Sequence, residues 1–381
     1  MISVASIQFR ILFTIMVVTA TSLSLFAETA MPEHPSFIRD GQYGYSATFQ
    51  VALGDLDGDG DLDAVFANMH ARSEIWVNGG NGRFTNSYKN IGSEAHGVGI
   101  GDLDGDGDLD LVLTPASDSE ASRIYFNDGT GRFTLATHDL GDTSIAANSV
   151  ELLDADNDGD LDISVYYFAG QRHSRLYLND GAGIFAVADL RFPGIATWGD
   201  IDNDGDVDAV CLQHEQNGSG YRIFLNIGEP GFEESQHIDA PVFFSPGSGD
   251  LGDVDGDGDL DLVASGGPSL DSPLTVLLND GTGTFSYEPL NSFSAHGGRI
   301  ALGDFNGDGA ADAYVGCIDY PKLIGLSDRA GSLIDSGLQL GSSDMAGMGA
   351  LGDLDGDGDL DLFVAIYGQG GPNQVWLNTT E

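Results

Sequence analysis

The chain has 381 residues, with 60 acidic against 14 basic side chains and a formal net charge of -46. Hydrophobic residues still make up 41% of it, which excludes a disordered acidic tail and predicts a folded core. So few Lys and Arg exclude nucleic acid and anionic membrane as partners and leave cations as the natural ones.

At the amino terminus Arg10 precedes an apolar stretch from Ile11 to Ala27, and the sequence turns polar at Glu28. This predicts a secretory signal peptide over residues 1–27, cleaved after Ala27, then a short segment over 28–35. The competing reading is a retained membrane anchor, for which a stretch of about 17 residues is short. The expected location is secreted, periplasmic or cell-surface. Cys211 and Cys317 lie in separate apolar runs and are expected as two buried free thiols rather than a disulfide.

From residue 36 to 381 the chain is a repeat. GDLDGDGDLDAVFA at Gly54 returns near Gly101, Leu153, Gly199, Gly252, Gly303 and Gly352. The first aspartates of the seven copies are 47, 52, 46, 53, 51 and 49 residues apart. Each unit holds four short apolar runs. One leads into the Asp-rich segment, one leaves it, and a third ends near Asn, as in EIWVN and RIYFN. The fourth begins after a Gly turn, as in GRFTNS, and the sixth unit has Leu333 where most others have Phe. Runs of this length, rich in branched and aromatic residues, are strands. Four antiparallel strands per unit, seven times over, predict an all-β, seven-bladed β-propeller; a β-solenoid has shorter repeats. The last unit stops after QVWLN without a fourth strand, and PSFIRDGQ around Phe37 resembles the missing piece. It is expected to pair beside Gln374 to Asn378 and close the ring, which removes open sheet edges.

In each Asp-rich loop, positions 1, 3, 5 and 9 carry side-chain oxygens, position 6 is Gly, and position 7 is expected to offer its backbone carbonyl. The first loop supplies Asp55, Asp57, Asp59, Asp61 and Asp63, and the second Asp102, Asp104, Asp106, Asp108 and Asp110. The third has Asp154, Asp156, Asp158, Asp160 and Asp162, the fourth Asp200, Asp202, Asp204, Asp206 and Asp208. The fifth has Asp253, Asp255, Asp257, Asp259 and Asp261, and the seventh Asp353, Asp355, Asp357, Asp359 and Asp361. The sixth departs, with Asp304, Asn306, Asp308, Ala310 and Asp312; Asn keeps an oxygen and Ala its carbonyl, so weaker binding is expected there.

Hard oxygen donors on a tight turn suit Ca²⁺, up to seven structural ions, better than the smaller and stricter Mg²⁺. An EF-hand begins with the same D-x-D-x-D-G but needs a bidentate Glu at position 12, where these loops have apolar residues such as Phe66 and Leu113. A merely solvated acidic loop fits poorly, because like charges about 4 Å apart repel by about 4 kcal/mol at an effective dielectric near 20. Position 8, Leu, Val or Ala, is expected to plug into the core beneath the site.

GDLDGDGDLDLVL followed by RIYFNDGTGRF resembles the FG-GAP/VCBS repeat, which also builds the seven-bladed propeller of integrin α-subunits. The resemblance implies calcium in the hairpin loop between the first two strands of each blade. It also implies a ligand face at the opposite end, built from the loops joining blades and those after the second strand. Segments that fall there include those beginning at Asn68, Tyr166, Gln213, Asp319 and Tyr367, whose Tyr, His and Arg could meet a sugar or peptide. His96 and His296 precede inner strands and are expected near the central channel.

No G-x-S-x-G elbow, paired-His metal motif or G-x-G-x-x-G opening a helix is found, and no catalytic residue is assigned. The expected function is non-catalytic recognition or adhesion by a monomer toward an extracellular glycan or protein. A carbohydrate-active lyase or hydrolase with structural calcium is the alternative.

Overall fold

The computed structural model describes residues 34–117, 120–140, 147–168, 172–215, 218–228, 231–240, 246–266, 274–287, 293, 298–317, 320–341, 345–368 and 371–380. The apolar stretch ending at Ala27, and also His296 and Asp319, lie outside the described residues.

Every regular element among the described residues is a strand. After β1 (Phe37–Tyr43), the first blade is β2 (Thr48–Gly54), β3 (Asp63–Asn68), β4 (Ser73–Asn78) and β5 (Phe84–Ile91). The second is β6 (Ala95–Gly101), β7 (Asp110–Pro115), β8 (Arg123–Phe126) and β9 (Thr134–Asp139). The third is β10 (Ala147–Leu153), β11 (Asp162–Tyr167), β12 (His173–Asn179) and β13 (Phe185–Pro193). The fourth is β14 (Ile195–Gly199), β15 (Asp208–Glu215), β16 (Gly218–Asn226) and β17 (Phe232–Asp239). The fifth is β18 (Pro246–Gly252), β19 (Asp261–Gly266), β20 (Thr275–Asn279) and β21 (Phe285–Tyr287). The sixth is β22 (Arg299–Gly303), β23 (Asp312–Gly316), β24 (Lys322–Ser327) and β25 (Leu333–Leu340), and the last three strands are β26 (Ala346–Gly352), β27 (Asp361–Ile366) and β28 (Asn373–Asn378).

Each blade is an antiparallel meander, and β1 supplies the fourth strand of the seventh in the order β26-β27-β28-β1. Phe37 pairs with Asn378 and Gln42 with Gln374, the closure expected from the sequence. Tyr43 at the end of β1 then packs edge-on against Trp76 and Phe84 of the first blade. A single parallel bridge, Gln50 to Met348, links the inner strands of the seventh and first blades. The fold is a seven-bladed propeller.

The core lies between blades. Second strands such as DAVFAN of β3 and DLFVAI of β27 are buried along their whole length, because both of their faces meet neighbouring sheets. Between the fifth and sixth blades, Val254, Val263 and Val276 meet Ile300, Ala313 and Val315. Cys211 and Cys317 are buried and not joined in a disulfide, as expected.

The inner strands carry a repeated irregularity. The register of β2, β6, β10 and β18 against their partners slips by one residue at Phe49, His96, Asn148 and Gly247, and that of β26 slips between Ala346 and Gly349. Such bulges re-aim the extra residue. They sit at the start of the inner strands, at the end of the ring opposite the Asp loops.

Candidate metal centres

Each Asp loop joins the first strand of a blade to the second. Gly at position 6 has φ between 90° and 98° in all seven loops, a backbone that side chains with a Cβ rarely adopt. This turn folds the chain back onto its first aspartate. In the first loop the Asp55 carboxylate accepts the N–H groups of Gly58, Asp59 and Gly60 at 2.8, 3.1 and 2.9 Å. Asp59 accepts the N–H of Asp61 at 3.1 Å. The same wrapping recurs around Asp253 and Asp353.

Position 9 is the anchor. Asp63 is fully buried; one oxygen accepts the Leu56 N–H and the other the Asn78 N–H at 2.8 Å. Burial outweighs these bonds and raises its pKa to about 6, with further upward push from Asp57 and Asp59. Burial likewise raises Asp110, Asp162, Asp208 and Asp361 to about 6, and Asp261 and Asp312 to about 7.

Positions 1, 3 and 9 converge. Asp55, Asp57 and Asp63 bring oxygens within 4.8 Å of one another, as do Asp102, Asp104 and Asp110, and Asp154, Asp156 and Asp162. Asp200, Asp202 and Asp208, then Asp253, Asp255 and Asp261, do the same, and a sixth such group is present. Burial and then the neighbouring carboxylates raise the pKa of Asp57, Asp104, Asp156, Asp202, Asp255 and Asp355.

The oxygens are also short of partners. An Oδ1 atom of Asp57, Asp104, Asp154, Asp156, Asp202 and Asp355 is buried without a hydrogen bond. A buried unmet acceptor costs about 1–3 kcal/mol, and more when charged. Convergent, orphaned carboxylate oxygens fit a bound cation, which would satisfy them and offset their mutual repulsion. In six loops the aspartates at positions 1, 3 and 9 are thus placed where they could hold a metal ion.

Three features were not legible as motifs. Position 2, not position 8, is the deep plug: Leu56, Leu103, Ala155, Ile201, Val254, Phe305 and Leu354 are at most 1% exposed, whereas position 8 is half-buried. Position 8 faces sideways, against the preceding blade. A Cβ on Gly101 would sit 2.6 Å from Leu161, and one on Gly352 the same distance from Leu62.

The second feature is the Asn that ends the third strand. Its N–H holds the position 9 carboxylate of its own blade, while its side-chain amide donates to the position 2 carbonyl of the preceding blade. Asn78 reaches Leu354, Asn127 Leu56, Asn179 Leu103, Asn226 Ala155, Asn279 Ile201 and Asn378 Phe305, all at 2.7–2.9 Å. In the sixth blade the Ser327 hydroxyl makes the equivalent bond to Val254. A hydrogen-bonded circuit therefore connects all seven loops.

The third feature explains the odd loop. Gly80, Gly129, Gly181 and Gly281 lie so close to the position 7 carboxylates that a Cβ would be 2.3–2.7 Å away. Where position 7 is Ala310, the equivalent turn residue is Arg329, whose guanidinium donates to the Asp308 carbonyl at 2.6 Å. Asn306 keeps its place, with its oxygen accepting the Asp308 N–H.

At the opposite end of the ring the sequence candidates divide. Asn68 is buried and bonds Thr48 and the Arg72 carbonyl, so it is structural. His173 and Gln213 are also buried. Tyr367 lines a cavity of about 560 Å³ with Tyr45, Ser46, Ala47, His70, Ala71, Met345 and Gly368. His96 is half-buried at the start of the inner strand β6, its Nδ1 3.2 Å from the Ala147 carbonyl, and Tyr166 is buried on β11.

A profile described as an FG-GAP-like repeat matches residues 55–113, 102–165, 200–264 and 253–315. Cartilage acidic protein 1 of Mus musculus is 32% identical over 170 residues, or 40% of this chain. The aligned part is 26% of that relative's length. Among solved structures, the BP39L lectin from Burkholderia pseudomallei superposes with a TM-score of 0.65 at 14% identity, over 87% of this chain and 96% of its own. BBS1N, from a lead-soaked crystal with ARL6DN, gives 0.53 at 12% identity over 90% and 96%. These two share the fold alone. The profile matches cover more than half of the residues and carry six of the seven Asp loops described above: the chain belongs to the FG-GAP-like repeat family.

Proposed function

We propose that the protein is an exported, calcium-binding propeller that recognises a glycan or protein ligand without catalysis. Residues 1–27 act as a cleaved signal, 28–35 as a short lead, and 36–381 as the propeller, working as a secreted, periplasmic or cell-surface monomer. Hard carboxylate oxygens crowded on a Gly turn favour Ca²⁺ over other cations. The side chains at positions 1, 3, 5 and 9, with the position 7 carbonyl, would hold it. When bound, the ion supplies positive charge and rigidity to a loop that is otherwise self-repelling. The loop with Asn306 and Ala310 would bind more weakly.

One contrast carries the recognition reading. At the metal end the repeat is nearly uniform, whereas at the other end the same position reads Phe49, His96, Asn148, Gly194, Gly247, Gly298 and Gly347 around the ring. A uniform scaffold that displays a non-uniform surface suits recognition, since loops and strand ends on a rigid frame carry specificity. The cavity at that end, with Tyr45, His70 and Tyr367 on its wall, is of small-ligand size. A lectin among the proteins of like fold makes glycans the first ligands to test.

The test is a calcium-loaded sample screened on a glycan array and against polysaccharides for turnover. Saturable binding without product is expected. Product formation would overturn the non-catalytic reading, and the absence of any glycan or protein ligand would overturn recognition.

A further inference from the structure

We propose that the channel mouth opposite the metal loops is a binding site for a carboxylate-bearing sugar, a uronate, with Arg299 as its anion contact. The proposal rests on the recognition reading and names its ligand class and place.

Phe49 is the hub of this mouth. It meets His96 of the second blade at 5.1 Å between ring centroids and Tyr367 of the seventh at 5.7 Å. The Arg299 guanidinium of the sixth blade lies over its face, 4.7 Å from the centroid. Tyr166 of the third blade interacts electrostatically with both Arg299 and Arg172. Side chains from four blades therefore meet around Phe49, with Tyr166 of a fifth in electrostatic reach of Arg299, and two of them, Phe49 and His96, stand at inner-strand bulges.

The chemistry is unusual for this chain. Acidic residues outnumber basic ones by 60 to 14, yet among the described residues no carboxylate pairs with Arg299. Its neighbours are aromatic rings, and burial pushes its pKa below the ordinary value. A half-buried guanidinium with no carboxylate partner among the described residues favours one from outside. Stacking on Phe49 occupies a face of the guanidinium and leaves its in-plane N–H donors suited to a planar carboxylate. Burial also lowers the His96 pKa, so at neutral pH His96 stays uncharged and offers hydrogen bonding rather than charge. Tyr166 and Tyr367 add hydroxyls and ring faces of the kind that hold a sugar. Lower in the channel, Asp250, with its pKa raised by burial to about 6, is ionised at pH 7 while Glu151, raised to about 8, stays largely protonated; the one negative charge opposes a densely charged anion more than an isolated carboxylate.

The experiment is titration calorimetry of the calcium-loaded full chain at pH 7. The probes are a uronic-acid oligosaccharide, its carboxyl-reduced neutral counterpart, and an Asp/Glu-rich peptide. The acidic sugar should bind at least tenfold more tightly than either other probe. Arg299→Gln should lose at least tenfold, while Arg39→Gln, on the exposed outer strand, should bind as the wild type does. Should Arg299→Gln fail to fold, Tyr166→Phe carries the test, with a weaker but measurable loss expected. Equal binding of the neutral sugar, tighter binding of the peptide, or unchanged affinity in folded Arg299→Gln would each overturn the site. Array binding to other glycans that these variants leave untouched would sink the channel site and spare the recognition reading. No binding to any glycan or protein would sink both.

Discussion

The side-chain amide of Asn127 donates to the carbonyl of Leu56, 2.8 Å away and 71 residues earlier in the chain. The backbone N–H of the same Asn holds Asp110, whose other oxygen holds the N–H of Leu103. One residue thus ties the metal loop of its own blade to the plug of the preceding one. Asn127→Ala should leave the buried Leu56 carbonyl unmet and cost about 2 kcal/mol in urea denaturation. Asn127→Ser should cost less, since Ser327 makes the equivalent bond in the sixth blade. If the Ala variant unfolds at the wild-type midpoint, the circuit has no energetic weight.

Chelation should loosen the whole ring. If each site binds calcium at about ten times its dissociation constant, the ion contributes about 1.4 kcal/mol per site. Excess chelator should lower Tm by about ten degrees, and calcium should restore it; an unchanged Tm would remove the structural role. Acid should act oppositely on the two forms. Without metal, the raised pKa of Asp63 and its equivalents means the folded state holds more protons than the unfolded between about pH 4 and 6. The chelated protein should therefore gain stability as pH falls through that window. The calcium-loaded protein should lose it there, because protons compete with the ion.

The ring and its loops were readable because each rests on local spacing repeated seven times, and the missing last strand pointed to Phe37. The circuit was not readable: Asn127 marks a strand end in sequence, but its acceptor lies in another blade. The exchange of position 2 for position 8 as the plug has a similar cause. Both are apolar, and only the turn of the loop decides which faces inward. Arg299 over Phe49 joins two unrepeated residues 250 positions apart, so no period could reveal it.

Gly101 and Leu161 form a size-matched pair across a blade boundary. In the third blade the glycine is replaced by Leu153, and the facing position 8 in the fourth is the smaller Val207, packed against the cluster containing Leu153. Gly101→Leu should therefore destabilise by about 1–3 kcal/mol through overpacking. Adding Leu161→Ala should recover at least half of that loss. Additive costs in the double-mutant cycle would show that the two side chains do not compete for one space.

Glu151 gives the channel its own pH signature. Burial first, and the nearby Asp250 second, raise its pKa to about 8. In the unfolded chain it ionises near 4.5, so between about pH 4.5 and 8 the folded state binds the extra proton. Stability from this group is complete below the lower value, falls as pH rises, and changes no further above the upper one. Glu151→Gln cannot ionise. It should match the wild type near pH 5 and exceed it by on the order of 2 kcal/mol at pH 8.5, where the wild type must keep a carboxylate in the channel. The comparison uses calcium-loaded protein at each pH, so the metal loops contribute equally to both chains and cancel. A constant difference across the range would mean that Glu151 titrates like a solvated side chain and that the channel around it is wet.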